Sequence, residues 1–308
     1  MARRRRGLPV DGVLLLDKPQ GVSSNHALQR ARRLFQAQKA GHTGTLDPMA
    51  TGLLPVCFGE ATKFTAYLLE ADKTYRTRVE LGVITDTGDA EGEVVERRTV
   101  PRLAEADVRA VLDRFVGEID QVPPMHSALK HQGRKLYELA REGKTVERAV
   151  RRVRVYDARL LSFEGDAFEL EVRVSKGTYI RTLAEDIGEA LGCGAHISML
   201  RRLGTGPFEA EGMVTPEALE ALPDQAAREA LLLPVDVLVA GLPRRELDER
   251  AAQRLRHGQS AGLETGELPV DALVRLYRDE TFLGLGVVRK AGEVAPRRLL
   301  STAPADSA

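Results

Sequence analysis

The chain has 308 residues, of which 43% are hydrophobic and 29% are charged, and its formal net charge is zero. These values exclude a disordered chain and indicate a globular protein with one large and one small domain, or with two medium ones. The zero net charge points to no particular class of partner. Aromatic residues make up only 5% and Trp is absent, so few rings are available to stack on a ligand.

Cysteine usage and hydropathy indicate the compartment. Cys57 and Cys193 lie far apart and show neither zinc spacing nor a Cys-x-x-Cys motif. We therefore expect two buried free thiols in a reducing compartment. No stretch approaches the roughly 20 consecutive apolar residues that cross a membrane, and no apolar signal-peptide segment follows the charged N-terminus. The sequence predicts a cytoplasmic protein without membrane contact.

The first predicted element is a buried strand at residues 13–16, which ends in a turn at residues 17–21. Ser23 or Ser24 can cap the helix that follows, where apolar residues recur at helical spacing. Lys18 lies in the turn, where a Lys-Pro pair is by itself typical of a protein surface.

Residues 41–52, GHTGTLDPMATG, follow neither the helical nor the strand period. The three glycines permit positive φ, and Pro48 moves Asp47 out of the α region. Asp47 is thus presented from a shaped loop among small hydroxylated residues, where a carboxylate is suited to act as a nucleophile or a base. An isolated Asp-Pro turn more often bonds only its own backbone.

The middle of the chain alternates between strand and helix patterns. In order, the spacing predicts a strand at 53–58, a helix at 60–69, a strand at 75–81, a polar turn at 86–92 and a helix at 104–115. Tyr75 stands at the start of its strand, where a tyrosine ordinarily buries its ring and leaves its hydroxyl in water.

A basic segment begins where prolines break regular structure at residues 121–128. Residues 125–159 contain ten Lys or Arg against four Asp or Glu, whereas residues 84–120 contain ten acids against five bases. We predict that an irregular excursion at about residues 122–152 grips a phosphate backbone. Its predicted contacts are Lys130, Arg134, Lys135 and Arg141. Composition alone is equally consistent with a solvated charged face. A second basic stretch is the N-terminal arm at residues 3–6.

The remaining elements follow in order. Paired strands are predicted at 153–163 and 168–174, a helix after the loop at 175–181, a strand at 197–203, and a helix at 215–233 interrupted by Pro223. From about residue 240 the composition becomes β-rich, with strands at 273–277 and 282–288. The sequence from about residue 240 onwards therefore predicts a small β unit.

Three stretches of this sequence resemble the TruB family of pseudouridine synthases: residues 41–56, the string DKTY at 72–75, and residues 175–188. The resemblance implies an α+β fold with a central, mostly antiparallel mixed sheet flanked by helices. It implies a catalytic domain at residues 1–239 and, more loosely, an RNA-binding β pseudo-barrel of the PUA type at residues 240–308. The implied activity is isomerisation of uridine 55 in the tRNA T loop to pseudouridine, without cofactor or metal.

The same resemblance assigns residues to roles. Asp47 is the implied nucleophile, Arg181 pairs with it, and Tyr75 is the implied active-site tyrosine. The implied substrate-binding residues are His42, Tyr75, Tyr179, Leu200 and Lys18. Whether Asp47 attacks the sugar C1′ or the base stays open, as does whether Tyr75 stacks on the base or handles a proton.

The expected partner is the T-arm of tRNA, with no protein partner required and a monomeric chain. Two alternatives remain: a non-catalytic RNA-binding or tRNA-folding protein, and a guide-dependent synthase of the dyskerin type. The latter shares the core Gly-x-x-Gly-Thr-Leu-Asp-Pro. The basic excursion favours the stand-alone enzyme, because a guide-dependent one would delegate the grip on its substrate to partners.

Overall fold

A computed structural model describes residues 7–301, so the basic arm at residues 3–6 lies outside the described part of the chain. The first elements are β1 (Gly12–Lys18), α1 (Ser24–Leu34), β2 (Ala40–His42), β3 (Thr51–Phe58), α2 (Thr65–Leu69), β4 (Lys73–Leu81), β5 (Val83–Thr85), β6 (Val94–Arg97), α3 (Glu105–Phe115) and β7 (Gly117–Gln121). A 3-10 turn at Gly59–Lys63 precedes α2.

The next elements are β8 (Lys130–His131), β9 (Arg134–Lys135), α4 (Leu136–Arg141), β10 (Arg151–Phe163), β11 (Ala167–Val174), α5 (Ile180–Ala190), β12 (Ala195–Thr205), α6 (Pro216–Ala221) and α7 (Gln225–Glu229). The last are β13 (Arg244–Glu246), α8 (Glu249–Arg256), β14 (Ala261–Gly262), β15 (Leu273–Arg278), β16 (Thr281–Lys290) and β17 (Glu293–Leu299). Between α7 and β13 lies a 3-10 turn at Val235–Val239.

Eight strands form the central sheet, in the order β1-β3-β12-β4-β11-β10-β7, with β2 also paired to β3. All neighbours are antiparallel except β3 and β12, which run parallel where Arg201 and Arg202 face Thr51 and Gly52. The expected α+β fold with a mostly antiparallel mixed sheet is confirmed. The parallel pair brings β12 beside the end of the loop that carries Asp47.

The sequence of β1 is almost continuously apolar because both faces of the strand are covered. Leu14 and Leu16 lie in the main core, whereas Val13 and Leu15 lie in a second core on the opposite face of the sheet. Successive side chains of a strand point to opposite faces, so a strand covered on both sides has apolar residues throughout.

The second core joins the central sheet to a five-stranded C-terminal sheet of order β13-β15-β16-β17-β14. The rings of Phe64 and Phe282 pack there with centroids 5.6 Å apart. Tyr277 of β15 donates a hydrogen bond to Asp236 in the connecting segment. Helix α8 packs on this small sheet through Ala252 and Leu255. The predicted small β unit is confirmed, and apolar contacts hold it against the larger sheet.

Two local predictions need correction. The helix predicted at 60–69 is a 3-10 turn followed by the short helix α2, because Phe64 leaves helical backbone angles and is fully buried. The basic excursion is not wholly irregular: it contains the hairpin β8–β9 and helix α4, which buries Leu136 and Leu139. The interruption predicted at Pro223 is confirmed by the break between α6 and α7.

Candidate active site

The loop between β2 and β3 carries Asp47 and is fastened to the start of α1. The Ser24 hydroxyl donates to the Leu46 carbonyl at 3.0 Å and accepts from the Leu46 N–H at 2.8 Å. The Gly21 N–H donates to the Pro48 carbonyl at 2.8 Å. These bonds hold the residues on both sides of Asp47, so the carboxylate is presented from a fixed backbone.

Lys18 lies behind this loop rather than in front of it. Its side chain is fully buried, and its ammonium donates to the carbonyls of Pro19, Val22 and Pro48 at 2.8, 2.7 and 3.2 Å. Burial lowers the pKa of Lys18 to about 8. The geometry favours a role in supporting the loop over the substrate contact that the family resemblance implied.

Replacing Lys18 by Met is therefore expected to destabilise the fold by about 3 kcal/mol, because the loop loses the three hydrogen bonds that the buried ammonium donates to backbone carbonyls. The free energy of unfolding in urea measures this loss. The matched control is Lys176→Met at an exposed ion pair with Glu70, which should change stability by less than about 0.5 kcal/mol. An unchanged stability together with lost RNA binding would instead assign Lys18 to the substrate.

Arg181 meets Asp47 at the centre of the site. Its Nη2 lies 3.1 Å from Oδ2 of Asp47, whose side chain is 36% exposed, while that of Arg181 is only 4% exposed. The guanidinium also donates to the carbonyls of Thr87 at 2.8 Å and His126 at 2.7 Å. Its Nη1 lies 3.5 Å from Oδ2 of Asp89. These contacts fix the guanidinium of the buried Arg181, while the carboxylate of Asp47 remains partly exposed to solvent.

The charges around Asp47 act in opposite directions. Burial raises the pKa of Asp47, Arg181 lowers it, and the second carboxylate, Asp89, raises it. Because burial is the largest contribution, the pKa stays above its ordinary value, and Arg181 limits the rise. Nearby, burial also raises the pKa of Glu185 on α5 to about 7. Asp89 was missed from sequence because an aspartate in a polar turn carries no distinguishing signal.

The other predicted substrate residues lie on neighbouring elements. Leu200 of β12 is buried and pairs with Thr77 of β4, while Tyr75 of β4 is half-buried and pairs with Arg202 of β12. Leu200 and Tyr75 are therefore close in register on adjacent strands. Tyr179 is half-buried and occupies the N-cap position of α5, two residues before Arg181.

His42 ends β2, immediately before the loop. Burial lowers the pKa of its imidazole, and the positive charge of Arg202 lowers it further. The imidazole is thus held in its neutral form at pH 7, with its Nδ1 buried and without a hydrogen bond in the described structure. A neutral ring of this kind can pack against a base without carrying charge into the site.

Arg202 braces the loop from the sheet side, and sequence reasoning missed it. Its side chain is 1% exposed. Its Nε donates to the Leu53 carbonyl at 2.7 Å and its Nη2 to the Gly44 carbonyl at 3.3 Å. The two carbonyls flank the Asp47 loop, so one arginine ties its beginning to its end. No sequence signal separates it from the neighbouring strand arginine.

Three buried polar atoms on elements that carry site residues have no hydrogen-bond partner within residues 7–301: Nδ1 of His42 and the hydroxyls of Thr43 and Thr182. They lie on β2, on the loop after it and in the first turn of α5. Buried polar groups without partners are rare and costly, so each of these atoms could bond to a polar ligand that reaches it. The Ser127 hydroxyl, in the basic excursion, interacts with the phenol of Tyr179.

The basic excursion presents its predicted contact residues unevenly. Lys130 is exposed, whereas Arg134 already has a carboxylate partner in Glu142. Lys135 and Arg141 both lie over the ring of Tyr137, each 5.3 Å from its centroid. The excursion therefore offers an aromatic ring flanked by two cations, an arrangement suited to a nucleotide.

Within the described residues no helix is long and apolar enough to span a bilayer. The same part of the chain contains no group of three or more His, Cys, Asp or Glu side chains placed to hold a metal ion. The free cysteines Cys57 and Cys193 are both buried, as expected.

A partly exposed carboxylate in a fixed loop, paired with a buried arginine that also contacts a second carboxylate, defines an active site for chemistry on a polar ligand. Family models match nearly the whole chain: "TruB family pseudouridylate synthase (N terminal domain)" at residues 32–180, "tRNA pseudouridylate synthase B C-terminal domain" at 181–240, and "Pseudouridine synthase II TruB, C-terminal" at 243–300. The chain belongs to the TruB family of pseudouridine synthases.

Its relatives match most of its length. It is 70% identical to tRNA pseudouridine synthase B of Chromohalobacter salexigens, over 98% of each chain. It is 50% identical to tRNA pseudouridine synthase B of Vibrio vulnificus, over 97% of this chain and 98% of that one. Among solved structures, a chain of a Cbf5-Nop10-Gar1 complex is 28% identical with a TM-score of 0.69, covering 95% of this chain and 85% of that one.

Proposed function

We propose that this protein converts uridine 55 in the T loop of tRNA to pseudouridine, with Asp47 as the catalytic nucleophile. The observation that carries the proposal is the half-exposed carboxylate of Asp47, held 3.1 Å from the buried Arg181. The name of the 70% identical relative supports tRNA as the substrate. The T loop and position 55 rest on the family resemblance of the motif around Asp47.

The reaction needs one covalent catalyst. The C1′–N1 bond breaks, the uracil turns, a C1′–C5 bond forms, and the proton on C5 is removed while N1 gains one. Reactant and product are isomers, so the proposed reaction needs no oxidant and no phosphate donor. The ionised carboxylate of Asp47 attacks either the sugar C1′ or the base, and the covalent bond to Asp47 breaks again before the product is released. Arg181 maintains the ionised form against the burial of the site.

The target base must leave its stack before Asp47 can reach it. Tyr75, Tyr179 and Leu200 are the proposed walls against which the flipped uracil packs, and His42 stacks beside it or fills the vacated space. We propose that the hydroxyls of Thr43 and Thr182, which have no partner in the described structure, bond to its polar edges or to the ribose. Such hydrogen bonds would satisfy groups whose burial is otherwise costly.

We further propose that residues 1–239 act as the catalytic domain and residues 240–308 as a PUA-like RNA-binding domain. The shared core around Phe64 and Phe282 favours a fixed arrangement of the two sheets. The proposed enzyme is a cytoplasmic monomer that needs no protein partner. The basic excursion supports this over a guide-dependent enzyme, because it offers its own grip on RNA.

The proposal is tested by incubating the purified chain alone with an unmodified tRNA transcript and measuring pseudouridine. We expect one pseudouridine per tRNA, and none in a transcript with cytidine at position 55. Pseudouridine formed in the transcript with cytidine at position 55 would show that the modified uridine is not uridine 55. The absence of product from both would overturn the stand-alone activity and leave an RNA-binding or guide-dependent protein.

The grip of the basic excursion is tested separately from the chemistry. Replacing Lys130, Arg134, Lys135 and Arg141 by Ala should weaken tRNA binding and reduce the slope of log K against log salt by about three, because each phosphate contact contributes roughly 0.7–0.9. Binding titrations at several salt concentrations measure the slope. Single-turnover rates at saturating tRNA should change much less, since Asp47 and its arginine remain.

The control for this variant removes two cations from α3, Arg109 and Arg114, which lie outside the excursion. Its salt slope should equal that of the unaltered protein. An equal slope in the fourfold variant would show that the cations of the excursion face solvent. Because Arg134 is already paired with Glu142, restoring that arginine alone should recover the least binding.

A further inference from the structure

Gln121, the residue immediately before the basic excursion, links the start of that excursion to the active site. It is the last residue of β7 and only 2% exposed. Its backbone pairs with Arg151, the first residue of β10, so both ends of the excursion meet at this pair. Its side chain bonds to the backbone N–H and carbonyl of a single residue, Tyr179. The carboxamide Oε1 accepts from the Tyr179 N–H at 3.1 Å, and Nε2 donates to the Tyr179 carbonyl at 3.3 Å.

These two bonds fix the backbone at the start of α5. Tyr179 is the N-cap residue, with φ −99° and ψ 114°, and its own side chain makes no capping bond. Its N–H lies outside the helical pattern, so only an external acceptor satisfies it. Gln121 supplies that acceptor and holds the Cα from which the Tyr179 ring projects. The same turn carries Arg181, two residues further along.

We propose that Gln121 is a positioning residue that sets the placement of Tyr179, and through it the fit of the flipped base. This inference rests on the proposed function. Residues near the start of the excursion support it, because the His126 carbonyl accepts a hydrogen bond from Arg181 at 2.7 Å and the Ser127 hydroxyl interacts with the phenol of Tyr179. The start of the excursion touches both Tyr179 and Arg181. RNA bound by the excursion would thus be coupled to the active site through residues 121–127.

The test replaces Gln121 by Met, which keeps the length and volume of the side chain but removes both hydrogen bonds. We expect the single-turnover rate at saturating tRNA to fall about tenfold, because small displacements of a positioning group weaken catalysis strongly. The tRNA Kd should stay within about twofold. The control is Gln225→Met, which removes another side-chain donor to a backbone carbonyl, that of Phe35 at 3.0 Å. Gln225 joins α7 to the C-cap residue of α1, away from the residues that carry the site, and its replacement should leave the rate unchanged.

A double-mutant cycle separates positioning from a merely structural role. If Gln121 acts through the Tyr179 ring, adding Gln121→Met to Tyr179→Leu should change the rate by less than twofold, since the ring it places is gone. A tenfold loss in both backgrounds, or no loss in the single variant, would overturn the inference. The unaltered protein distinguishes the two proposals: if it makes no pseudouridine, the proposed function fails; if it is active while Gln121→Met behaves like Gln225→Met, only this inference fails.

Discussion

Replacing Asp47 by Asn should reduce pseudouridine formation by at least about 10³-fold, equivalent to about 4 kcal/mol of lost transition-state stabilisation. The amide keeps the shape of the side chain and can still contact Arg181, but it is a poor nucleophile. The tRNA Kd should stay within a few-fold, because the excursion and the C-terminal sheet are unaltered. Single-turnover rates and binding titrations measure the two quantities.

The control for this prediction is Asp113→Asn on the exposed face of α3, which should leave both rate and affinity unchanged. A residual rate above about a hundredth of the unaltered value would remove Asp47 from the role of nucleophile. Retained affinity in an inactive variant would also show that RNA binding is separable from chemistry. That separation is what a second function in RNA folding would require.

The second large effect is expected at Arg181. Replacing it by Met should lower the single-turnover rate at pH 7 by about 10²-fold and move the pH dependence. The nucleophile is the ionised carboxylate, which is populated above the pKa of Asp47. Arg181 lowers that pKa, while burial and Asp89 raise it. Without the cation the pKa rises further, so the rate should increase with pH across a higher range than in the unaltered protein.

Two further variants sharpen this prediction. Arg181→Lys keeps the charge but loses the forked contacts to the Thr87 and His126 carbonyls. Its pH profile should therefore lie close to that of the unaltered protein, whereas its maximal rate should stay lower. Asp89→Asn removes a negative charge and should move the inflection to lower pH, opposite to Arg181→Met. Identical pH profiles in Arg181→Met and the unaltered protein would show that the arginine acts through geometry alone.

The opposing effects of burial, Arg181 and Asp89 on the pKa of Asp47 also set the pH at which the unaltered enzyme loses activity. Because burial is the largest influence on Asp47 and raises its pKa, the rate should fall on acidification at a higher pH than an exposed aspartate would allow. Glu185, with a pKa of about 7, changes charge close to neutrality. Replacing Glu185 by Gln therefore distinguishes its titration from that of Asp47 in the measured profile.

The amino-acid sequence by itself determined the elements whose signals are local. One of the two serines predicted as the cap, Ser23, begins α1, the alternation of β4 defines its buried face, and the turn at residues 164–166 pairs β10 with β11. The candidate nucleophile Asp47 was also identified from sequence, because the continuous string around it resembles a motif of the TruB family; its glycines and proline alone are equally typical of a tight polar turn.

Only the tertiary structure decided what surrounds that carboxylate. The bonds of Arg181 to Thr87 and His126 join residues 94 and 55 positions apart, and Gln121 meets Tyr179 across 58 positions. No local period records such contacts, so Asp89, Arg202 and Gln121 were missed. Lys18 illustrates the same limit of local sequence: a Lys-Pro turn is typical of a protein surface, but the packing of distant segments buries this lysine. Packing of distant segments, which sets burial and therefore charge state, is what local sequence cannot express.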